Sequence, residues 1–178
     1  MSTGLVKSQN TRLYFTTTAG VSTSDADGVV IHKVYCPTGI QNVGGGQKPT
    51  IPSTCLDSVR QEYLGGLPDN EAITVPFNVA LRSAAYQALL GLFDSGSADA
   101  LSSFMVVYPD ADGTAGTAPT AIDSNDMLVA PATTSTEACM GYVANLTKEI
   151  GLNEIVRGTL TIQTSGAWSR SLPTADLP

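Results

Sequence analysis

The chain has 178 residues, 42% hydrophobic and only 14% charged, with 17 glycines, 10 prolines and a net charge of −7. That length supports one core and a single domain over residues 1–178, and a weakly charged chain rich in Thr, Ser and Gly describes β structure joined by long loops. Its 9 basic residues are scattered, which excludes nucleic-acid binding through phosphate contacts, and no run approaches the roughly 18 apolar residues of a membrane span. The first residues carry neither the basic region nor the apolar run of an export signal, so the reading is a soluble protein. Cys36, Cys55 and Cys139 are odd in number and lack C-x-x-C spacing, so free thiols in a reducing cytoplasm are expected.

Residues 1–11 read as an exposed arm and 12–16 as a short first strand. After a polar turn at 22–28 comes a second strand over 29–35, its alternation blurred by His32 and Lys33. From 36 to 70 periodicity disappears, because Pro37, Gly39, Gly44 to Gly46, Pro49, Pro52, Gly65, Gly66 and Pro68 interrupt every element. A connection that long in a compact domain points to a functional loop.

The clearest periods follow. Ile73, Val75, Phe77 and Val79 alternate with Thr74, Pro76 and Asn78, which predicts a strand with one buried face, although Pro76 belongs on an edge or a bulge. Tyr86, Leu89, Leu90 and Phe93 then fall at i, i+3, i+4 and i+7, the buried stripe of a helix over 84–94. Ser83 is placed to cap its start, and Asp94-Ser95-Gly96 to end it. Phe104, Val106 and Tyr108 alternate with Ser103, Met105 and Val107, and two apolar faces predict a central strand.

Beyond them, 111–125 is a small-residue loop, 127–129 a short strand and 132–136 a turn into a final hairpin. In its first strand Met140, Tyr142, Ala144 and Leu146 are expected on one face, with Gly141, Val143, Asn145, Thr147 and Glu149 on the other. In its second, Val156, Leu160 and Ile162 oppose Arg157, Thr159, Thr161 and Gln163, and 151–154 is the connecting turn. A tail without period runs over 169–178.

Chemistry-bearing patterns are weak. His32 is the only histidine, which removes any triad or multi-histidine metal site. Gly44-Gly45-Gly46-Gln47-Lys48 lacks the spacing of a phosphate loop, and Pro49 follows the lysine. The two Asp-x-Asp-Gly sequences, at 25–28 and 110–113, lack the downstream Glu of a calcium loop and read as Asx turns. Asn145-Leu146-Thr147 fits a glycosylation acceptor only in an exported chain. No catalytic, cofactor-binding or metal-ligating residue is assigned, and no enzyme is expected.

One ordered combination of segments does carry a resemblance. Thr54-Cys55-Leu56-Asp57-Ser58, then residues 62–70, then the strand, helix and strand just described, and finally Gly141-Tyr142-Val143 with 155–166, resemble the major tail tube protein of long, non-contractile-tailed bacteriophages over residues 40–168. The resemblance implies a mainly β fold, two antiparallel sheets in a sandwich or open barrel with one flanking α-helix, closing into a ring β-barrel on oligomerisation. It implies a structural protein of the virion tail, assembled in the host cytoplasm, whose hexameric rings stack into a hollow tube for genome delivery. The partners implied are further copies of itself, a tape measure protein inside the tube, tail terminator and tip or baseplate proteins, and double-stranded DNA passing without specific binding. The alternatives are a tail terminator or a tube protein of a related contractile or secretion apparatus, and a monomeric adhesive or carbohydrate-binding β-sandwich that would use Trp168.

On that reading, the 36–70 loop is an assembly loop whose contacts with neighbouring copies include Ile51, Thr54, Leu56, Asp57, Tyr63, Leu64 and Leu67, and which is mobile before assembly. Replacing 40–52 by a Gly-Ser linker is then expected to leave a folded subunit that cannot polymerise. The channel wall is expected to be net negative, with Glu71, Glu149 and Glu154 as candidate lumen residues. Tyr86, Leu89, Leu90 and Phe93 are expected in the core.

Overall fold

A computed structural model of the chain describes residues 8–17, 30–54, 60–95, 101–110 and 112–172. In chain order they form β1 (Arg12–Thr16), β2 (Ile31–Lys33), β3 (Gly46–Gln47), β4 (Thr50–Pro52), β5 (Tyr63–Gly65) and β6 (Asp69–Asn70). Then come β7 (Ile73–Asn78), α1 (Ala84–Asp94), β8 (Ser102–Val107), β9 (Thr136–Glu149) and β10 (Arg157–Ser171). Six strands make one antiparallel sheet in the order β2-β1-β8-β9-β10-β7, and β3–β6 and β4–β5 are separate two-stranded ribbons. The fold is therefore mainly β with one flanking helix, and its antiparallel sheets are not closed.

The sheet curls because its two edges are spanned by the chain leaving β2. Cys36 O accepts from Asn78 N at 3.1 Å, Thr38 N donates to Pro76 O at 2.8 Å, and Gln41 and Thr74 exchange backbone bonds of 2.9 and 3.3 Å. Residues 74, 76 and 78 thus direct their backbone polar groups away from β10. Pro76 is tolerated there because its missing N–H lies on the outer edge of β7 and costs no bond to β10.

Inside the curl sits the main core, in which Leu13, Phe15, Ile73, Val75, Phe104, Leu160 and Ile162 are fully buried. β7 alternates between buried and half-buried residues as its period predicts. α1 has the predicted bounds, and Ser83 Oγ accepts from Tyr86 N at 3.1 Å. Its buried residues are Tyr86 and Leu89, with Leu90 half-buried. Phe93 is a correction: it is 42% exposed, whereas Leu92 beside it is half-buried and packs against the main core, so the buried face of the last turn runs through Leu92. Lys148 lies 5.5 Å above the Tyr86 ring, a cation–π contact that holds β9 to the helix.

β8 is buried at every position, as expected of a central strand. Its second face is covered by 118–130, where Ile122 and Leu128 pack on Tyr14, Met105, Val107 and Ala138. The segment that reads as a small-residue loop is thus the lid of a second core. The strand expected at 127–129 is instead a single bridge between Ile122 and Leu128.

The final hairpin forms, but the predicted facing of β9 is corrected by a β-bulge. Thr161 pairs with Asn145 while Ile162 pairs with Val143, which leaves Ala144 as an extra residue. Gly141 and Val143 face the core and Tyr142 faces out; beyond the bulge Leu146 and Lys148 return to the core side. One inserted residue reverses the parity of everything after it, which alternation alone does not reveal. β10 also continues through Ser171, so the tail expected from 169 begins later.

Cys36 and Cys139 are free, and Cys55 lies outside the described residues. No helix among the described residues is long and apolar enough to cross a membrane.

Candidate assembly surface

The 36–70 loop divides into a base that belongs to the body and a ribbon that does not. Ile40 and Val43 pack against the main core, and Asn42 Nδ2 donates to Ala72 O at 3.2 Å. Arg170 clamps the base: its guanidinium forms a 3.2 Å ion pair with Glu137 and donates to Gly44 O at 2.7 Å. Gly44 has φ +63°, and a Cβ there would meet the Arg170 and Glu137 side chains, so this position requires glycine. Tyr108 Oη donates to Glu137 at 3.1 Å. On the other side Asn70 Nδ2 donates to Gly166 O at 2.6 Å.

Beyond this base stands the β4–β5 ribbon. Thr50 pairs with Gly65, Ile51 with Leu64 and Pro52 with Tyr63, and all six residues are exposed. The ribbon's own bonds include Gly66 N to Pro49 O at 2.7 Å and Ser53 N to Glu62 O at 2.9 Å. Thr54 Oγ1 accepts from Glu62 N at 3.2 Å, so Thr54 shapes the ribbon. A two-stranded ribbon is marginal alone in water, and this one leaves Ile51, Tyr63 and Leu64 at 52%, 58% and 60% exposure. Leu67, at its root, is 88% exposed. Leu56 and Asp57 lie outside the described residues.

Glu71, Glu149 and Glu154 are all exposed, but they do not form one patch. Glu149, at the end of β9, sits opposite Arg157, and Glu154 is in the adjoining turn. Glu71 lies beside Thr164, whose hydroxyl donates to Glu71 O at 3.3 Å, far along β10 from that turn. The face of β7, β10 and β9 that 118–130 leaves uncovered carries Thr74, Asn78, Thr159, Thr161, Gln163, Asn145 and Thr147, mostly hydroxyl and amide groups.

Sequence reasoning missed two features. The clamp joins Gly44 to a residue 126 positions away, for which no local signal exists. Ile150, Leu152 and Ile155, exposed at 79%, 93% and 68%, crowd the β9–β10 turn. Three aliphatic residues in a turn between wet strands was a signal the sequence did offer.

The titratable groups act structurally. His32 stacks on Phe15 at 5.3 Å between centroids, and burial lowers its pKa. An Asx turn forms at 112–114, where Asp112 Oδ1 accepts from Thr114 N at 2.7 Å, which lowers the Asp112 pKa. Burial, helped by the Glu137 charge, pushes Tyr108 from 10.0 up to about 12 and Cys139 from 9.0 up to about 12. Both groups are raised on folding, so their contribution is complete below the unfolded values and disappears as pH rises through the folded ones. Thermal melting should therefore hold steady to about pH 9 and fall progressively between about pH 9 and 12. A melting temperature flat across that window would mean that neither group is buried as described.

Among the described residues no cluster of His, Cys, Asp or Glu is arranged to hold a metal ion. The described residues form a curled sheet with two cores and two exposed apolar projections, the β4–β5 ribbon and the β9–β10 turn. The family described as "Phage tail tube, TTP, lambda-like" matches residues 4–172, and the chain belongs to that family. It is a structural protein of a bacteriophage tail tube.

Solved structures share the fold at low identity. The SPP1 tail tube protein matches with a TM-score of 0.58 at 11% identity, covering 96% of this chain and 82% of that one. A chain of the anti-feeding prophage baseplate matches with a TM-score of 0.60 at 10% identity, covering 98% and 99%. A chain of the gene transfer agent tail, solved with C6 symmetry, matches with a TM-score of 0.56 at 12% identity, covering 90% and 96%. No curated protein sequence matches the chain.

Proposed function

We propose that this chain forms hexameric rings that stack into the hollow tail tube through which the genome passes. The observation that carries the reading is the β4–β5 ribbon: an element exposed on both faces, apolar where its strands meet, and too small to be stable without a second surface. The C6 symmetry of the gene transfer agent tail and the SPP1 tail tube, whose folds this chain shares, support the ring and the tube. Ile51, Tyr63, Leu64 and Leu67, with Leu56 and Asp57 between them in sequence, make the contact with a neighbouring copy, and the ribbon gains its full order there. Thr54 serves it indirectly by fixing the ribbon's end.

The uncovered face of β7, β10 and β9 lines the channel. Side-by-side joining of successive sheets closes their strands into one barrel. A wall of Thr, Asn and Gln presents no cationic cluster to DNA phosphates, so DNA slides past without binding. Glu149 and Glu154 stand at one end of that wall and Glu71 near the other. A tape measure protein occupies the lumen before DNA, terminator and tip proteins close the two ends, and assembly proceeds in the host cytoplasm. The chain performs no catalysis.

Electron microscopy of the purified protein tests this directly, with hollow tubes as the expected result. Ile51→Ser with Leu64→Ser should leave a soluble, folded subunit that forms no tubes. Normal tubes from that double variant would move the interface away from the ribbon, and a wild-type protein that stays monomeric at every concentration would overturn the reading.

A further inference from the structure

The β9–β10 turn and a groove at the far end of the same hairpin are complementary. The turn is a formed projection: Asn153 takes φ 61°, and Glu154 folds back so that its carboxylate would meet a Cβ placed on Gly151 at 3.0 Å. It presents Ile150, Leu152 and Ile155 to water, flanked by Glu149, Glu154 and Arg157.

The groove has a volume of about 660 Å³, within the range of roughly 300–1,000 Å³ typical of preformed binding pockets. Its walls include Lys48, Leu67, Pro68, Ala167, Trp168 and Arg170. They are held in place by the Arg170–Glu137 ion pair and by the bond from Asn70 to Gly166. Register is lost between Ser165 and Ser169, so a bulge at Gly166, φ +79°, turns the chain here and opens the groove. Arg170 is neutralised by Glu137, whereas Lys48 has no ion-pair partner among the described residues. An apolar floor beside Lys48 matches an aliphatic tip whose two carboxylates outnumber its one cation, Arg157, with Glu154 the carboxylate that is not opposite it.

These surfaces cannot meet within one chain. The tip precedes Arg157 and the groove surrounds Trp168 and Arg170, at opposite ends of β10. At about 3.3 Å per residue the separation is roughly 40 Å. Complementary patches at opposite ends of a rigid hairpin make a head-to-tail contact that does not close on itself and therefore propagates.

We infer that the β9–β10 turn of one subunit inserts into the Lys48–Trp168 groove of a second copy of this chain in the next ring, and that this contact stacks the rings. The inference rests on the tube reading above, and its partner is a further copy of the same chain. Lateral joining of strand edges makes a ring; the tip and the groove fix the spacing and direction in which rings add.

The test compares tube formation by sedimentation and negative-stain microscopy. Wild-type protein that forms neither rings nor tubes would overturn the tube reading itself, separately from this inference. Given wild-type tubes, Leu152→Asp with Ile155→Asp, at positions already in water, should keep the wild-type melting temperature and form rings. The concentration needed for tubes should rise at least tenfold. Lys48→Glu should weaken stacking as well, and adding Glu154→Lys to it should restore tubes. Tubes from the tip variant at wild-type concentrations would overturn the inference, as would loss of its rings, which would place the turn in ring closure. A charge-swapped chain no better than Lys48→Glu alone would also overturn it.

Discussion

Leu89→Ala should destabilise the subunit by about 2–5 kcal/mol, whereas Phe93→Ala should cost about 1 kcal/mol or less, read from urea unfolding. The two residues lie one helical turn apart on the same predicted stripe. Leu89 is 1% exposed, among Tyr86, Phe77 and the sheet, and truncating it leaves a cavity that a close-packed core does not collapse to fill. Phe93 is 42% exposed in the last turn of α1, where Leu92 takes the place on the core, so much of its ring gains little from folding. Equal costs for the two would mean that Phe93 is buried as deeply as Leu89. A Leu89→Ala cost near 0.5 kcal/mol would mean that it is not seated at all.

Replacing residues 40–52 by a Gly-Ser linker should yield an unfolded or insoluble chain, while excising 50–65 and joining Pro49 to Gly66 should leave a folded one. The first deletion removes Ile40 and Val43 from the main core, both Gln41 bonds to Thr74, and the Gly44 carbonyl that Arg170 grips. Two aliphatic side chains and several hydrogen bonds of about 1 kcal/mol each sum to on the order of 5 kcal/mol, comparable to the whole stability of a domain. Among the described residues the second deletion takes away exposed ones apart from the half-buried Ser53, and its ends are already joined by the 2.7 Å bond from Gly66 N to Pro49 O. Circular dichroism and gel filtration of the two variants decide it. The earlier expectation that loss of 40–52 spares the fold treated the loop as one unit, and the structure divides it near Lys48.

What the sequence determined by itself was every element whose cause is local. β1 and α1 have the bounds their periods predict, Ser83 caps α1, β8 is central, and the final hairpin joins two long strands. Periodicity reports which side of an element is apolar, and a cap or a turn needs only neighbours a few residues away. The family too was legible, because it lies in an ordered series of such local segments.

The tertiary structure alone decided what depends on residues distant in the chain. The bulge at Ala144 put Tyr142 and Leu146 on opposite faces, since strand facing follows pairing register and register is set by β10. Apolar residues at 118–130 became a lid because the outer face of β8 and β1 needed cover, a need that composition does not display. The Gly44 clamp, the separation of Glu71 from Glu149 and Glu154, and the groove beside Trp168 all arise where segments remote in sequence meet. Ile40 and Leu64 look alike in sequence; one is packed in the core and the other stands in water because only the first lies where the chain bridges the edges of the curled sheet.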